Sequence, residues 1–146
     1  MRRHLQILAL ASGVAGCDES LSDLAGPTPN LEPTFTSLQR DIFETTDSAG
    51  RTACVACHTD QGRTPAGGLN LAHDVAYNQL VGVFSRGRPS IARVTPGNPD
   101  ASYLVQKVEG QPGIVGRRMP ANGPPYLSQG QIQILRRWVE LGAPRN

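Results

Sequence analysis

Apolar positions fall into a few short helical runs separated by stretches with no period. Thr34 is a good N-cap for a helix that carries Phe35, Leu38, Ile42 and Phe43 on one face. That run frays at Thr45-Thr46, and Asp47-Ser48-Ala49-Gly50 reads as a turn. Asp74 fits as the cap of a short helix over Val75 to Val81, ended by Gly82. Further on, Asn98 is a cap residue, Pro99 suits the first helical position, and Asp100 suits the positive end of the helix dipole. Ala101, Leu104, Val105 and Val108 follow at helical spacing and Gly110 stops the run. The last helix is the clearest. Ser128 and Gln131 form a capping box, and Ile132, Ile134, Leu135, Trp138, Val139 and Leu141 fill a broad apolar face. Gln133, Arg136, Arg137 and Glu140 take the other side, and Gly142 with Pro144 ends the helix. A face that wide needs two things packed against it. The expected fold is all-α, with few helices and long ordered loops.

The N-terminus reads differently. Arg2 and Arg3 precede a short apolar stretch, Leu5 to Gly16, in the manner of an export signal. It is too short to span a bilayer, which takes about 20 apolar residues. Val14-Ala15-Gly16-Cys17 resembles a bacterial lipobox, in which a cysteine after small residues is lipidated and becomes the new N-terminus. The alternative is an ordinary signal peptide with Cys17 incidental. Residues 18–33 carry Asp18, Glu19, Asp23 and Glu32 with no basic residue and no helical period, and read as a flexible tether. The expected organisation is a signal over 1–16, a lipidated cysteine and tether over 17–33, and one domain over 34–146. Such a chain is exported, periplasmic and held to a membrane by its lipid.

Composition sharpens the picture. Of 146 residues, 38% are hydrophobic but only 5% aromatic, a thin supply for a self-filling core. Sixteen glycines and 12 prolines are too many for a simple helical bundle. A large apolar prosthetic group would make up the deficit.

Cys54-Val55-Ala56-Cys57-His58 supplies the place for one. C-x-x-C-H is the attachment sequence of a c-type haem. Two thiols add across the porphyrin vinyl groups, the two-residue gap puts both sulfurs on one edge, and His58 offers the proximal imidazole. Zinc and a thiol redox pair are the alternatives, since C-x-x-C alone serves both. Zinc would need two more ligands, and the mature chain offers His73 and carboxylates. A redox pair has no use for the adjacent histidine. With Cys17 in the signal, the three cysteines leave no thiol over for a structural disulfide.

Residues 111–127 form a long proline- and glycine-rich loop, a feature that is usually functional inside a compact domain. At its middle is Met119, the only methionine besides Met1, followed by Pro120. It could approach a haem iron from the face opposite His58; the bland reading is a methionine filling a gap. His73 is the competing sixth ligand, more at home on the surface. A carbonyl in the loop after His58, such as that of Pro65, would fix the imidazole tautomer.

With these motifs in hand, the chain resembles the class I cytochrome c family, in particular its bacterial, exported, single-haem members. The resemblance covers residues 34–146 and rests on CVACH at 54–58, GNPDASYLVQKVEG at 97–110, RMP at 118–120 and LSQGQIQILRRWVELGAP at 127–144. It implies a cytochrome c-like fold with crossed N- and C-terminal helices, here Phe43 against Trp138. It also implies one haem c bound through Cys54 and Cys57, with His58 and Met119 as axial ligands. The implied role is an electron carrier rather than an enzyme. The turn between the first helix and Cys54 is a departure, because the helix usually runs closer to the motif. The second class of function is a peroxidase-like subunit or ligand sensor with an open or displaceable sixth position; a single C-x-x-C-H argues against a multi-haem peroxidase.

The whole-chain charge of +2 conceals an asymmetry. Without the signal, 12 basic and 12 acidic groups remain, and four of the acids lie in the tether, so the domain is basic. Arg117 and Arg118 flank Met119 and suit a redox protein with an acidic docking face. A solvated pair, or one arginine on a haem propionate, is the competing reading. No basic stripe with interleaved aromatics points to nucleic acid.

Overall fold

In the computed structural model the chain is described from Gly26 to Asn146. The expected export signal, Cys17 and the first part of the expected tether lie outside the described residues. Helix α1 spans Phe35–Leu38 and continues as a π-helical segment, Gln39–Phe43. α2 is Ala76–Leu80, α3 is Tyr103–Glu109 and α4 is Gln129–Glu140. Two 3-10 turns, Cys54–Ala56 and Ala66–Gly68, lie between α1 and α2. The described residues hold no strand, only isolated bridges pairing Val81 with Val94 and Phe84 with Ala92. No described helix is long and apolar enough to cross a membrane.

α1 begins where the sequence puts it. Thr34 Oγ1 accepts from the Ser37 amide at 3.2 Å, and Phe35, Leu38, Ile42 and Phe43 are all buried. The chain's far end also closes this helix: the Phe35 N–H donates to Asn146 Oδ1 and the Thr36 N–H to the Asn146 carbonyl. Both are donors that a helix start leaves without an intrahelical partner. α1 ends at Phe43, short of Thr45-Thr46, and a turn follows in which the Gly50 N–H reaches the Asp47 carbonyl.

α4 carries the expected capping box, with both reciprocal bonds between Ser128 and Gln131 present. Ile132, Leu135, Trp138 and Val139 are buried and Ile134 is partly so. Leu141 is 52% exposed, so the apolar face stops one turn early. The aromatic ring lying closest to Trp138 is Phe35, with centroids 5.8 Å apart; Phe35 also meets Phe43 and Tyr77 edge-on. The expected pairing of Phe43 with Trp138 is thus mediated by Phe35.

Three local expectations shift. Asp74 does not cap α2, which starts after Val75 with no side-chain cap. Asn98 caps a preceding turn, accepting from the Ala101 amide at 3.0 Å, and α3 proper starts after Ser102. The buried Ser102 hydroxyl donates to the Asn98 carbonyl and accepts from the Thr95 amide, which holds the chain extended there. Finally, the part of the expected tether that is described, residues 26–33, lies on the body. Leu31 is 6% exposed within the core cluster, and Thr28 Oγ1 accepts from Gln131 Nε2. One leucine in an acidic, proline-rich segment shows no period, yet it suffices to seat that segment.

Candidate functional site

The C-x-x-C-H motif is one tight turn. The Cys57 and His58 amides both donate to the Cys54 carbonyl, at 3.2 and 3.0 Å. The following loop folds back on it: the Ala66 amide reaches the Cys57 carbonyl and the Leu71 amide the His58 carbonyl. Arg63 adds a bond to the Ala56 carbonyl.

His58 Nδ1 lies 2.9 Å from the Ala66 carbonyl, one residue beyond the Pro65 expected from the sequence. A carbonyl only accepts, so Nδ1 carries the proton and Nε2 keeps its lone pair. Burial lowers the imidazole's pKa below the ordinary histidine value, with the charges of Arg93 and Lys107 adding to it, against the opposing bonds to the Ala66 and Leu69 backbone. The ring is held neutral and oriented, the state a metal ligand needs.

Cys54 and Cys57 are free thiols, Cys54 half-buried and Cys57 exposed. Burial pushes the Cys54 thiol up to about 11, although the Arg51 charge pulls the other way. A thiol-disulfide centre works through a lowered thiol, and the Cys54 thiol is raised instead. Nor do three His, Cys, Asp or Glu side chains come together as a metal ligand set among the described residues, which leaves the zinc reading without its further ligands.

Met119 is delivered by a heavily anchored loop. Its amide donates to the Lys107 carbonyl at 2.8 Å, and its side chain is half-buried against the core. Three residues on, Asn122 Nδ2 donates to Thr52 Oγ1 at 2.7 Å, which joins the Met119 loop to the segment entering Cys54. The two stretches that the sequence selects, 61 residues apart, are therefore bonded neighbours. His73 is elsewhere: its Nδ1 pairs with Glu44 at 3.2 Å and its side chain is largely exposed.

These residues fit a haem. With Nδ1 protonated, Nε2 keeps its lone pair; two thiols outside any disulfide sit on one turn, that of Cys54 donating to the Ile42 carbonyl at 3.5 Å; and Val55, Leu69, Leu104 and Met119 pack on the core while staying partly uncovered. Those four come from the motif, the loop behind His58, α3 and the Met119 loop.

Arg118 is bound into its own loop and α3. Its Nε donates to the Val108 carbonyl at 2.8 Å and its guanidinium stacks 4.3 Å above the Tyr126 ring. It secures the loop, and only Arg117 of the pair stands exposed.

Three supporting residues escape a reading of the motifs. Asn122 acts on Thr52, far off in the sequence, whereas Arg51 and Lys107 act on nearby backbone carbonyls that no residue pattern marks. Lys107 alone leaves a trace, as the chain's single lysine among 14 cationic residues. Comparison with protein-family models, with curated proteins and with solved structures finds no match to this chain.

Proposed function

We propose that the chain is a mono-haem c-type cytochrome that carries electrons, with an all-α cytochrome c-like fold. Cys54 and Cys57 hold the porphyrin as thioethers, and His58 and Met119 fill the two axial positions. The observation that carries this reading is the His58 imidazole, fixed through Nδ1 on the Ala66 carbonyl with Nε2 left as a ligand. Bound haem iron supplies one-electron oxidation and reduction. The chain's own residues decide what else happens there. His58 presents a neutral nitrogen, and the Met119 thioether closes the opposite face and favours the ferrous state. With both axial sites taken by protein, small oxidants have no open position, so transfer through the haem edge is the remaining chemistry. In this reading the chain is exported, lipidated at Cys17 and anchored to a membrane, and it meets a redox protein partner.

Expression with export in a host competent in cytochrome maturation tests it. The wild type is expected to be red and to keep its haem through denaturing electrophoresis, and C54S/C57S to lose it. The oxidised protein should show the weak red-edge band of iron–thioether ligation, which Met119→Ala removes while carbon monoxide gains access to the reduced iron. A colourless wild-type product ends the cytochrome reading. Carbon monoxide binding as readily to wild type as to Met119→Ala would end the sealed-iron part and favour an enzyme or sensor.

A further inference from the structure

Lys107 faces carbonyl oxygens where a lysine usually faces water or a carboxylate. It sits near the end of α3, half-buried, with no ion pair among the described residues. Its Nζ donates to the Val115 carbonyl at 2.9 Å and to the Arg117 carbonyl. Its own carbonyl accepts from the Met119 amide at 2.8 Å. One residue thus holds the loop at three points, at 115, 117 and 119. Neighbouring bonds come from both ends of α3: Arg118 Nε on the Val108 carbonyl, and Tyr103 Oη accepting from the Val115 amide.

The choice of lysine follows from geometry. An ammonium has three donors on a flexible stem and can converge on two carbonyls of one loop. A guanidinium presents a flat fork suited to a carboxylate. Every other Lys or Arg position of the chain is arginine, and the single lysine stands where two carbonyls of one loop converge on one nitrogen.

We infer that Lys107 is the positioning residue for Met119, holding the thioether in ligating reach of the iron. The inference rests on the haem reading proposed above. Without the ammonium, the Val115 and Arg117 carbonyls lose their shared donor, and the segment leading into Met119 is held to α3 only by Tyr103, Arg118 and the backbone bond at residue 119.

Lys107→Met keeps the apolar stem and deletes the donors; Lys107→Gln keeps a shorter neutral donor; Lys107→Arg keeps the charge. Each is compared with wild type and with Met119→Ala as haem-loaded protein, well below the melting temperature. The readouts are the iron–thioether band and carbon monoxide binding to the reduced form. Lys107→Met is expected to lose most of the band and to bind carbon monoxide, while thioether attachment and haem content stay unchanged. Lys107→Gln should be intermediate, and Lys107→Arg should retain more of the band than Lys107→Met. If Lys107→Met does not accumulate, the contrast between Lys107→Gln and Lys107→Arg decides. A band of wild-type strength in both neutral variants, with carbon monoxide still excluded, overturns the inference and leaves the cytochrome reading intact. A wild type with no such band overturns the ligand reading itself.

Discussion

Arg51 has no exposed surface, and all five of its guanidinium hydrogens meet acceptors. Nε donates to Asp47, Nη1 to the Ile42 and Thr52 carbonyls, and Nη2 to those of Asp41 and Thr45. Three of those carbonyls lie at or just past the end of α1, where a helix leaves oxygens without intrahelical donors and where a cation is favoured. One buried charge therefore joins the end of α1 to the segment that enters Cys54. Asp47 neutralises it and also accepts from Gln131 of α4. Burial by itself would raise the Asp47 carboxyl, but the bonds from Arg51 and Gln131 and the Arg51 charge outweigh it and hold the group below the ordinary aspartate value. A depressed carboxyl stabilises the fold above its unfolded-state pKa, and that contribution is lost as pH falls through the folded value. Asp47→Asn leaves Arg51 buried without a counter-charge, a change of about 3–5 kcal/mol in this class of site. Denaturant melts should show the full deficit at neutral pH and a shrinking one in acid; an equal deficit at both would sink this account. The motif residues Cys54, Cys57 and His58 were legible because their chemistry is contiguous. Asp47 looked like a turn residue, because Gln131, its partner in α4, is 84 residues away.

At the level of elements, legibility followed how many local signals agreed. α4 has a capping box, a helical period and a glycine-proline stop, and it forms where all three place it. α3 had a correct end and a misplaced start. Gly110 closes it in the left-handed region at φ 74°, while Ser102 takes up backbone partners that would otherwise continue the helix backwards to Asn98. That competition involves Thr95 and cannot be seen in an apolar period. The glycine has a second reason to be there: a Cβ at Gly110 would lie 2.8 Å from Arg118 Cδ. Gly110→Ala therefore combines backbone strain of about 1–2 kcal/mol with displacement of the side chain that ties Arg118 to Val108. The melting temperature should fall, and in haem-loaded protein the iron–thioether band should weaken with it. An unchanged melting temperature would show that the end of α3 tolerates the crowding.

Across the whole molecule, the ion pairs take up only some of the cations. The carboxylates of Asp41, Asp47, Asp100, Glu109 and Glu140 are paired with Arg40, Arg51, Arg136 and Arg137. Eight cations have no ion pair among the described residues; Arg145 lies over the Tyr77 ring, and the other seven contact the motif, the loop behind it or the Met119 loop. Arg63 bonds the motif, Arg93 bonds Gly68 and Arg86 lies over it, Arg88 reaches Gly113, and Lys107, Arg117 and Arg118 belong to the Met119 region. Net charge and composition foretold a basic domain; which of its cations stay outside ion pairs needed the fold. On the electron-carrier proposal these cations meet an acidic partner. Arg117 is the cleanest probe, since it is exposed and only its carbonyl serves the loop. Arg117→Glu should slow reduction by such a partner at low salt, with the difference fading as ionic strength rises. An unchanged rate at low salt would remove Arg117 from the docking face. The central aromatic cluster bears on how all of this can be watched. Trp138, the sole tryptophan, is fully enclosed, its indole N–H on the Pro144 carbonyl and Phe35 beside it. A body of this size has a radius of gyration of about 14 Å, so any porphyrin it holds lies within energy-transfer range of that indole. Fluorescence would then be dark in loaded, folded protein and bright once the chain opens, a built-in optical gauge requiring no label.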